Sequence, residues 1–127
     1  MIYIIALISI LLGSLAQYLL KVGMTSFTLE NKNIINLIKE AITNLPLIGG
    51  ISCYGLSMIF WLYVLSKLEL SKAYPLVSLG YVFTLIIGYF LLNESINNYK
   101  IFGVAFIIIG VICITRAWKL WTLTVTS

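Results

Sequence analysis

The sequence contains no histidine and no aspartate, and its acidic residues are four glutamates among 127 positions. Without histidine there can be no histidine-based catalytic triad, histidine metal site or histidine proton relay. Glu30, Glu40, Glu69 and Glu94 all lie at the edges of apolar runs, never within one. A proton-driven cation pump normally keeps an acid inside the membrane, and no such acid is present. Charge of either sign is scarce, at 9% of residues, and the net +4 is spread over loops and helix ends without a cluster. That pattern excludes a nucleic-acid footprint and fits anchoring at a membrane interface. The two cysteines, Cys53 and Cys113, fall early in one apolar run and late in another of the same direction. They are expected in opposite leaflets, too far apart to bridge, as small buried apolar side chains.

What fills the chain instead is hydrophobic: 61% of its residues. A water-soluble domain of this length could not bury that much apolar surface. Four runs without charge cover Met1–Leu20, Ala41–Ser66, Ala73–Asn93 and Ile101–Thr115. A span needs roughly 20 apolar residues; three runs meet this, and the fourth is extended by Arg116 and Lys119 snorkelling outward. The fold expected is an all-α membrane protein of four transmembrane helices, a single domain over residues 1–127. The spans are placed at about Ile2–Met24, Pro46–Leu68, Lys72–Asn93 and Lys100–Trp121, with Pro46 and Pro75 in first turns. The first run reaches Lys21 without a basic segment before it, so it is expected to be a retained helix rather than a cleaved signal. The short links Glu69–Ser71 and Glu94–Tyr99 make spans two to four tight antiparallel neighbours.

The link Thr25–Leu45 is longer. Ile34, Ile35, Ile38, Ala41, Ile42 and Leu45 recur at helical spacing, while Asn36, Lys39, Glu40 and Thr43 fill the other side. That predicts an amphipathic helix between spans one and two, lying in the membrane interface, the alternative being a periplasmic or cytoplasmic loop packed on the bundle. The positive-inside rule does not orient the chain. Lys67, Lys72, Arg116 and Lys119 fall on the N-terminal side, against Lys21, Lys32, Lys39 and Lys100 on the other. An even split is what an antiparallel dimer, inserted both ways, also shows.

Polar residues inside spans mark candidate sites. In span one Ser9, Gly13, Gln17 and Lys21 form a stripe, flanked by Ala6, Ser14 and Ala16; successive members turn by only about 40°. The stripe reads either as helix packing or as one wall of a substrate path, since Gln17 in hydrocarbon requires a partner. Lys21 either snorkels to the headgroups or holds a phosphate entering from the membrane. In span three Tyr74, Ser78 and Tyr81 share a face, and Gly80, Thr84 and Gly88 form a second, small-residue row. Glu94 closes span three as an interfacial acid, a gate or a partner that fixes the loop. Gly103 and Gly110 share a face of span four, where helix backbones can approach closely.

These features resemble the small multidrug resistance fold of the drug/metabolite transporter superfamily. The resemblance rests on Gly13-Ser14-Leu15-Ala16-Gln17-Tyr18-Leu19-Leu20-Lys21, on Ala73-Tyr74-Pro75-Leu76-Val77-Ser78, on Gly88-Tyr89-Phe90-Leu91-Leu92-Asn93-Glu94 and on the Gly103/Gly110 pair. Drug-exporting members carry a glutamate eight residues before the lysine that Lys21 resembles; here that position is Gly13. In lacking the acid, and in Gln17 and the run Ala73–Pro75, the chain is more similar to subunits of the aminoarabinose–phosphoundecaprenol flippase. The resemblance implies translocation of a polyprenyl-phosphate-linked sugar across a bacterial inner membrane, with no cofactor and no metal. Ser14, Gln17, Lys21, Tyr74, Ser78 and Tyr81 are the expected substrate contacts. Gly103 and Gly110 are the expected contact of a homodimer or of a heterodimer with a similar small subunit. The rival expectations are an exporter of small cations or metabolites using another ion, and a non-transporting membrane assembly subunit.

Overall fold

The computed structural model describes residues 1–26 and 33–125. Lys32 and the rest of the link at 27–32 lie outside the described residues. The order is α1 (Ile2–Thr25), α2 (Ile34–Thr43), α3 (Leu45–Lys67), α4 (Leu70–Leu92) and α5 (Asn98–Val125). Four of these helices are long and apolar enough to cross a membrane, so the chain is a multi-pass membrane protein. Helix α1, with 24 residues, is about 36 Å long and exceeds a hydrocarbon core of roughly 30 Å.

The bundle is organised around α1. Its packing is most extensive with α3 and next with α4, whereas α3 and α4 barely touch and α5 reaches only α4. The expectation that spans two to four pack tightly on one another therefore fails for α3 against α4. The reason lies in side-chain size. Ala6, Ser9, Ser14 and Ala16 of α1 are all at most 3% exposed, and such small residues let two neighbouring backbones close in on α1. The antiparallel α1–α3 seam is tightest at its glycines. A Cβ at Gly50 would lie 2.9 Å from the Leu20 backbone nitrogen, and one at Gly23 would lie 3.0 Å from that of Leu47.

Asn44 ties the two helices together at one end of this seam. Its side-chain oxygen caps α3 by accepting from Leu47 N–H at 3.3 Å, as N-cap residues do. Its amide nitrogen donates to the Gly23 carbonyl at 3.1 Å and to Ser26 Oγ at 3.3 Å. Pro46 follows within the first turn, where a missing N–H costs nothing. Pro75 differs from expectation. Helix α4 starts at Leu70, earlier than predicted, because Lys72 and Ala73 N–H both bond the Glu69 carbonyl. Pro75 thus lies inside the helix, and the Ser71 carbonyl loses its helical donor. Ser71 is exposed near the end of the span, where interfacial water reaches it.

The amphipathic helix forms as predicted. In α2, Ile34, Ile35, Ile38 and Ile42 are all exposed, and among the described helices it packs with α3 alone. An isoleucine face without a protein cover suits the boundary between headgroups and acyl chains. The cysteines depart from expectation: Cys53 is half-buried, Cys113 exposed, and both are unbonded.

Candidate functional site

The stripe on α1 divides into two halves with different work. Ser9 Oγ donates to the Ser57 carbonyl and Ser57 Oγ donates to the Ser9 carbonyl, each at 2.8 Å. This reciprocal pair satisfies both hydroxyls inside the apolar seam. Gly13 makes room for it, since a Cβ there would stand 3.1 Å from Ser57 Oγ. Where a drug exporter holds its acid, this chain has a socket filled by a serine of α3. Ser14 belongs to the same packing. It is buried, donating to the Ile10 carbonyl at 2.9 Å and to the Gly80 carbonyl of α4 at 3.4 Å. Its hydroxyl is turned into the α1–α4 contact rather than toward open space.

The other half of the stripe is open. Gln17 is exposed, on the same face as Lys21 and about 6 Å deeper in the span. Its amide makes no hydrogen bond to any described residue, so in hydrocarbon it calls for a partner from a ligand or a second subunit. Lys21 Nζ instead pairs with Glu94 Oε1, joining α1 to the α4–α5 turn. A charge at the membrane edge is far less costly when paired in this way.

Local backbone chemistry delivers Glu94 to that position. Asn93 closes α4 in the left-handed region, at φ 51° and ψ 36°, a conformation that asparagine tolerates better than most residues. Asn93 and Glu94 N–H then both reach back to the Gly88 carbonyl, the latter at 3.0 Å, a turn one residue wider than the Schellman cap. The turn folds the Glu94 side chain over Gly88, where an added Cβ would come within 2.9 Å of Oε2. Gly88 is thus the seat of the carboxylate, not simply one of a row of packing glycines. Gly80 does pack against α1, with Ile10 Cγ2 3.2 Å from where its Cβ would be.

Beside this carboxylate lies a half-open cavity of about 120 Å³, lined by Tyr81, Thr84, Leu85, Tyr89, Glu94, Ser95, Ile96 and Lys100. Lys100 Nζ donates to the Ser95 carbonyl at 3.1 Å, which keeps the ammonium at the rim. The cluster therefore holds two cations, Lys21 and Lys100, around one acid. Its excess positive charge favours an anion, and its hydroxyls and tyrosine walls suit a polyol.

Of the residues expected to contact substrate, Gln17, Lys21 and Tyr81 fall at this end of the bundle. Tyr74 and Ser78 do not. Along α4 (Leu70–Leu92), Tyr74 is about 27 Å from Leu92 and Ser78 about 21 Å. Neither can orient a phosphate held at Lys21. Tyr74 lines a shallow recess with Glu69, Leu70 and Ser71 at the opposite end, and Ser78 Oγ bonds back to the Pro75 carbonyl. Tyr74, Ser78, Tyr81, Leu85 and Tyr89 still share one face of α4 by helical spacing, so a tyrosine-rich surface runs the length of the span. Gly103 and Gly110 have no atom of another segment within 4 Å of an added Cβ and lie on open parts of α5. The residues the sequence reading missed are Asn44, Ser57, Asn93 and Lys100. Asn44 before Pro46 and Asn93 after an apolar run carried recognisable cap signals. The pairing of Ser57 with Gly13 carried none.

Residues 2–116 match the EamA-like transporter family. A Photorhabdus laumondii protein named "probable 4-amino-4-deoxy-L-arabinose-phosphoundecaprenol flippase subunit ArnF" is 40% identical over 121 residues, covering 90% of this chain and 96% of that protein. A Proteus mirabilis protein of the same name is 38% identical over 125 residues, with 90% and 91% covered. A Pseudomonas fluorescens protein named as the ArnE subunit of such a flippase is 42% identical over 62 residues, with 49% and 54% covered. No solved structure gives a significant match.

Proposed function

Because this chain belongs to the EamA-like transporter family, we propose that it is one subunit of an inner-membrane flippase for a polyprenyl-phosphate-linked amino sugar. It acts as a transporter and not as an enzyme. The names of its relatives support the substrate class. The observation that carries the reading is the cluster at one end of α4, where Lys21 and Lys100 outnumber Glu94 beside a polyol-sized, tyrosine-walled cavity. Lys21 takes the lipid phosphate by charge-assisted hydrogen bonds, with Gln17 and Tyr81 at its side. The headgroup then travels along the tyrosine face of α4 toward Ser78 and Tyr74 while the polyprenyl chain stays in the bilayer. A cation exporter is disfavoured by Gly13, because the position of the coupling acid is a socket closed by Ser57.

Four spans provide one wall of a groove, and a second subunit provides the other. Helix α5 offers the surface, since none of its described residues is buried and Gly103 and Gly110 lie open on it. The partner is a second copy or a similar small subunit, as the ArnE-named relative suggests. Mass spectrometry of lipid copurified with the assembled protein tests the reading. A polyprenyl phosphate bearing an amino sugar is expected. A preparation that retains bulk phospholipid but never a polyprenyl phosphate, even from cells that make one, would contradict it.

A further inference from the structure

We infer that Glu94 is the residue that recognises the amine of the transported sugar, and that binding exchanges the Lys21–Glu94 ion pair for contacts with the ligand's own two charges. The inference rests on the flippase reading and assigns a role within that site. A 4-amino sugar linked to a polyprenyl phosphate is a zwitterion, with an ammonium on one side of the sugar ring and a phosphodiester on the other. The site carries the complementary pair. Lys21 and Glu94 hold each other across the α1–α4 junction, half-exposed at 52% and 38% of their side chains, so a ligand can reach both.

A phosphate site alone has no use for this acid. Lys21 and Lys100 would hold any polyprenyl phosphate better without a carboxylate between them, because like charges repel and the acid also competes for Lys21. The fold nevertheless builds a dedicated seat for it, from the left-handed Asn93, the Glu94 N–H bond to Gly88, and the side chain absent at Gly88. The acid becomes favourable once the ligand brings a cation. On entry the phosphate takes Lys21, the ammonium takes Glu94, and one ion pair is exchanged for two. Thr84 and Ser95 supply hydroxyls, and Tyr81 and Tyr89 supply walls for the ring between the charges. A lipid whose amine is acylated offers no cation and leaves the carboxylate uncompensated, so the site disfavours it.

The test uses the purified protein in lipid nanodiscs and three short-chain probes: a polyprenyl phosphate carrying the 4-amino sugar, its N-acetylated form, and the polyprenyl phosphate without sugar. The unaltered protein is expected to bind the amino form about tenfold more tightly than the acetylated one, the effect of one charge-assisted hydrogen bond. Glu94→Gln should abolish that preference while leaving or improving affinity for the acetylated probe. Lys21→Gln should weaken all three. Gly88→Ala, which displaces the carboxylate without removing it, should reduce the preference as well and gives a second reading if Glu94→Gln folds poorly. Equal affinity of the unaltered protein for amino and acetylated probes, or a preference that survives in Glu94→Gln, would overturn the assignment of Glu94 alone. Failure of the unaltered protein to bind any of the three would overturn this assignment and the flippase reading together.

Discussion

Helices α1 and α5 are equally fit to cross a membrane, yet their surroundings differ completely. In their most apolar stretches, 28% of α1 is buried and none of α5. Helix α1 meets both α3 and α4, while α5 meets only α4. Hydrophobicity does not separate them, because lipid tails solvate leucine and isoleucine as well as a protein core does. Small and hydroxylic residues do. The α1 face carries Ala6, Ser9, Gly13, Ser14 and Ala16, each pressed against a neighbour. The α5 face shows Phe102 and Phe106, which are 65% and 73% exposed, with Gly103 between them. In this membrane protein, small side chains mark where the helices have met, and the glycines of α5 meet no neighbour among the described residues.

Substitutions at glycines sharpen this contrast most strongly. Gly50→Val, where an added Cβ already overlaps Leu20, should destabilise the fold by about 3 kcal/mol, read as a lowered unfolding temperature in detergent. Gly103→Leu adds a Cβ that meets nothing among the described residues and should leave that temperature unchanged. It should instead weaken subunit association about tenfold, or ~1.4 kcal/mol, measured by dilution in lipid or by analytical ultracentrifugation. If Gly103→Leu and Gly110→Leu both leave the oligomer intact, the subunit contact lies away from this face of α5.

Two smaller effects probe how the seam and the site are built. Asn93→Val forces a β-branched residue into the left-handed region and should cost roughly 1–2 kcal/mol, whereas Asn93→Gly should be tolerated. A circular-dichroism melt would distinguish them, and equal melts would show that the turn is not fixed by Asn93. Ser57→Ala removes a donor to Ser9 and should cost about 0.6 kcal/mol, the average for hydroxyl contacts between membrane helices. A double-mutant cycle with Ser9→Ala should show coupling, and strict additivity would mean that the two hydroxyls act separately.

Much of the architecture was legible in the sequence because lipid imposes a simple pattern. Apolar runs, the fourth extended by Arg116 and Lys119, gave all four spans to within a few residues, and isoleucine periodicity gave α2. Helix adjacency was not legible, because α1 and α5 carry similar hydropathy and differ only in which small residues face a neighbour. The site was partly legible. Lys21 and Gln17 stood out as polar groups inside an apolar run, but their relation to Glu94 depended on a left-handed turn at Asn93 and a vacant side chain at Gly88. Tyr74 and Ser78 share a helix face with Tyr81, but the rise of α4 places them at the other end from Lys21. Periodicity assigns residues to a face, but depth along the helix decides which of them can meet one ligand.

The most direct test of the account is translocation by the assembled protein in sealed vesicles loaded with a polyprenyl-phosphate amino sugar, read as the rate at which the headgroup becomes accessible on the opposite leaflet. The account predicts transfer by the unaltered protein and a loss of at least about tenfold in Lys21→Ala, the loss expected when a charged hydrogen-bond partner is removed. It also predicts substantial retention in Lys21→Arg and no proton-driven efflux of quaternary ammonium ions. Proton-coupled cation efflux, or Lys21→Ala moving the lipid at the unaltered rate, would contradict it.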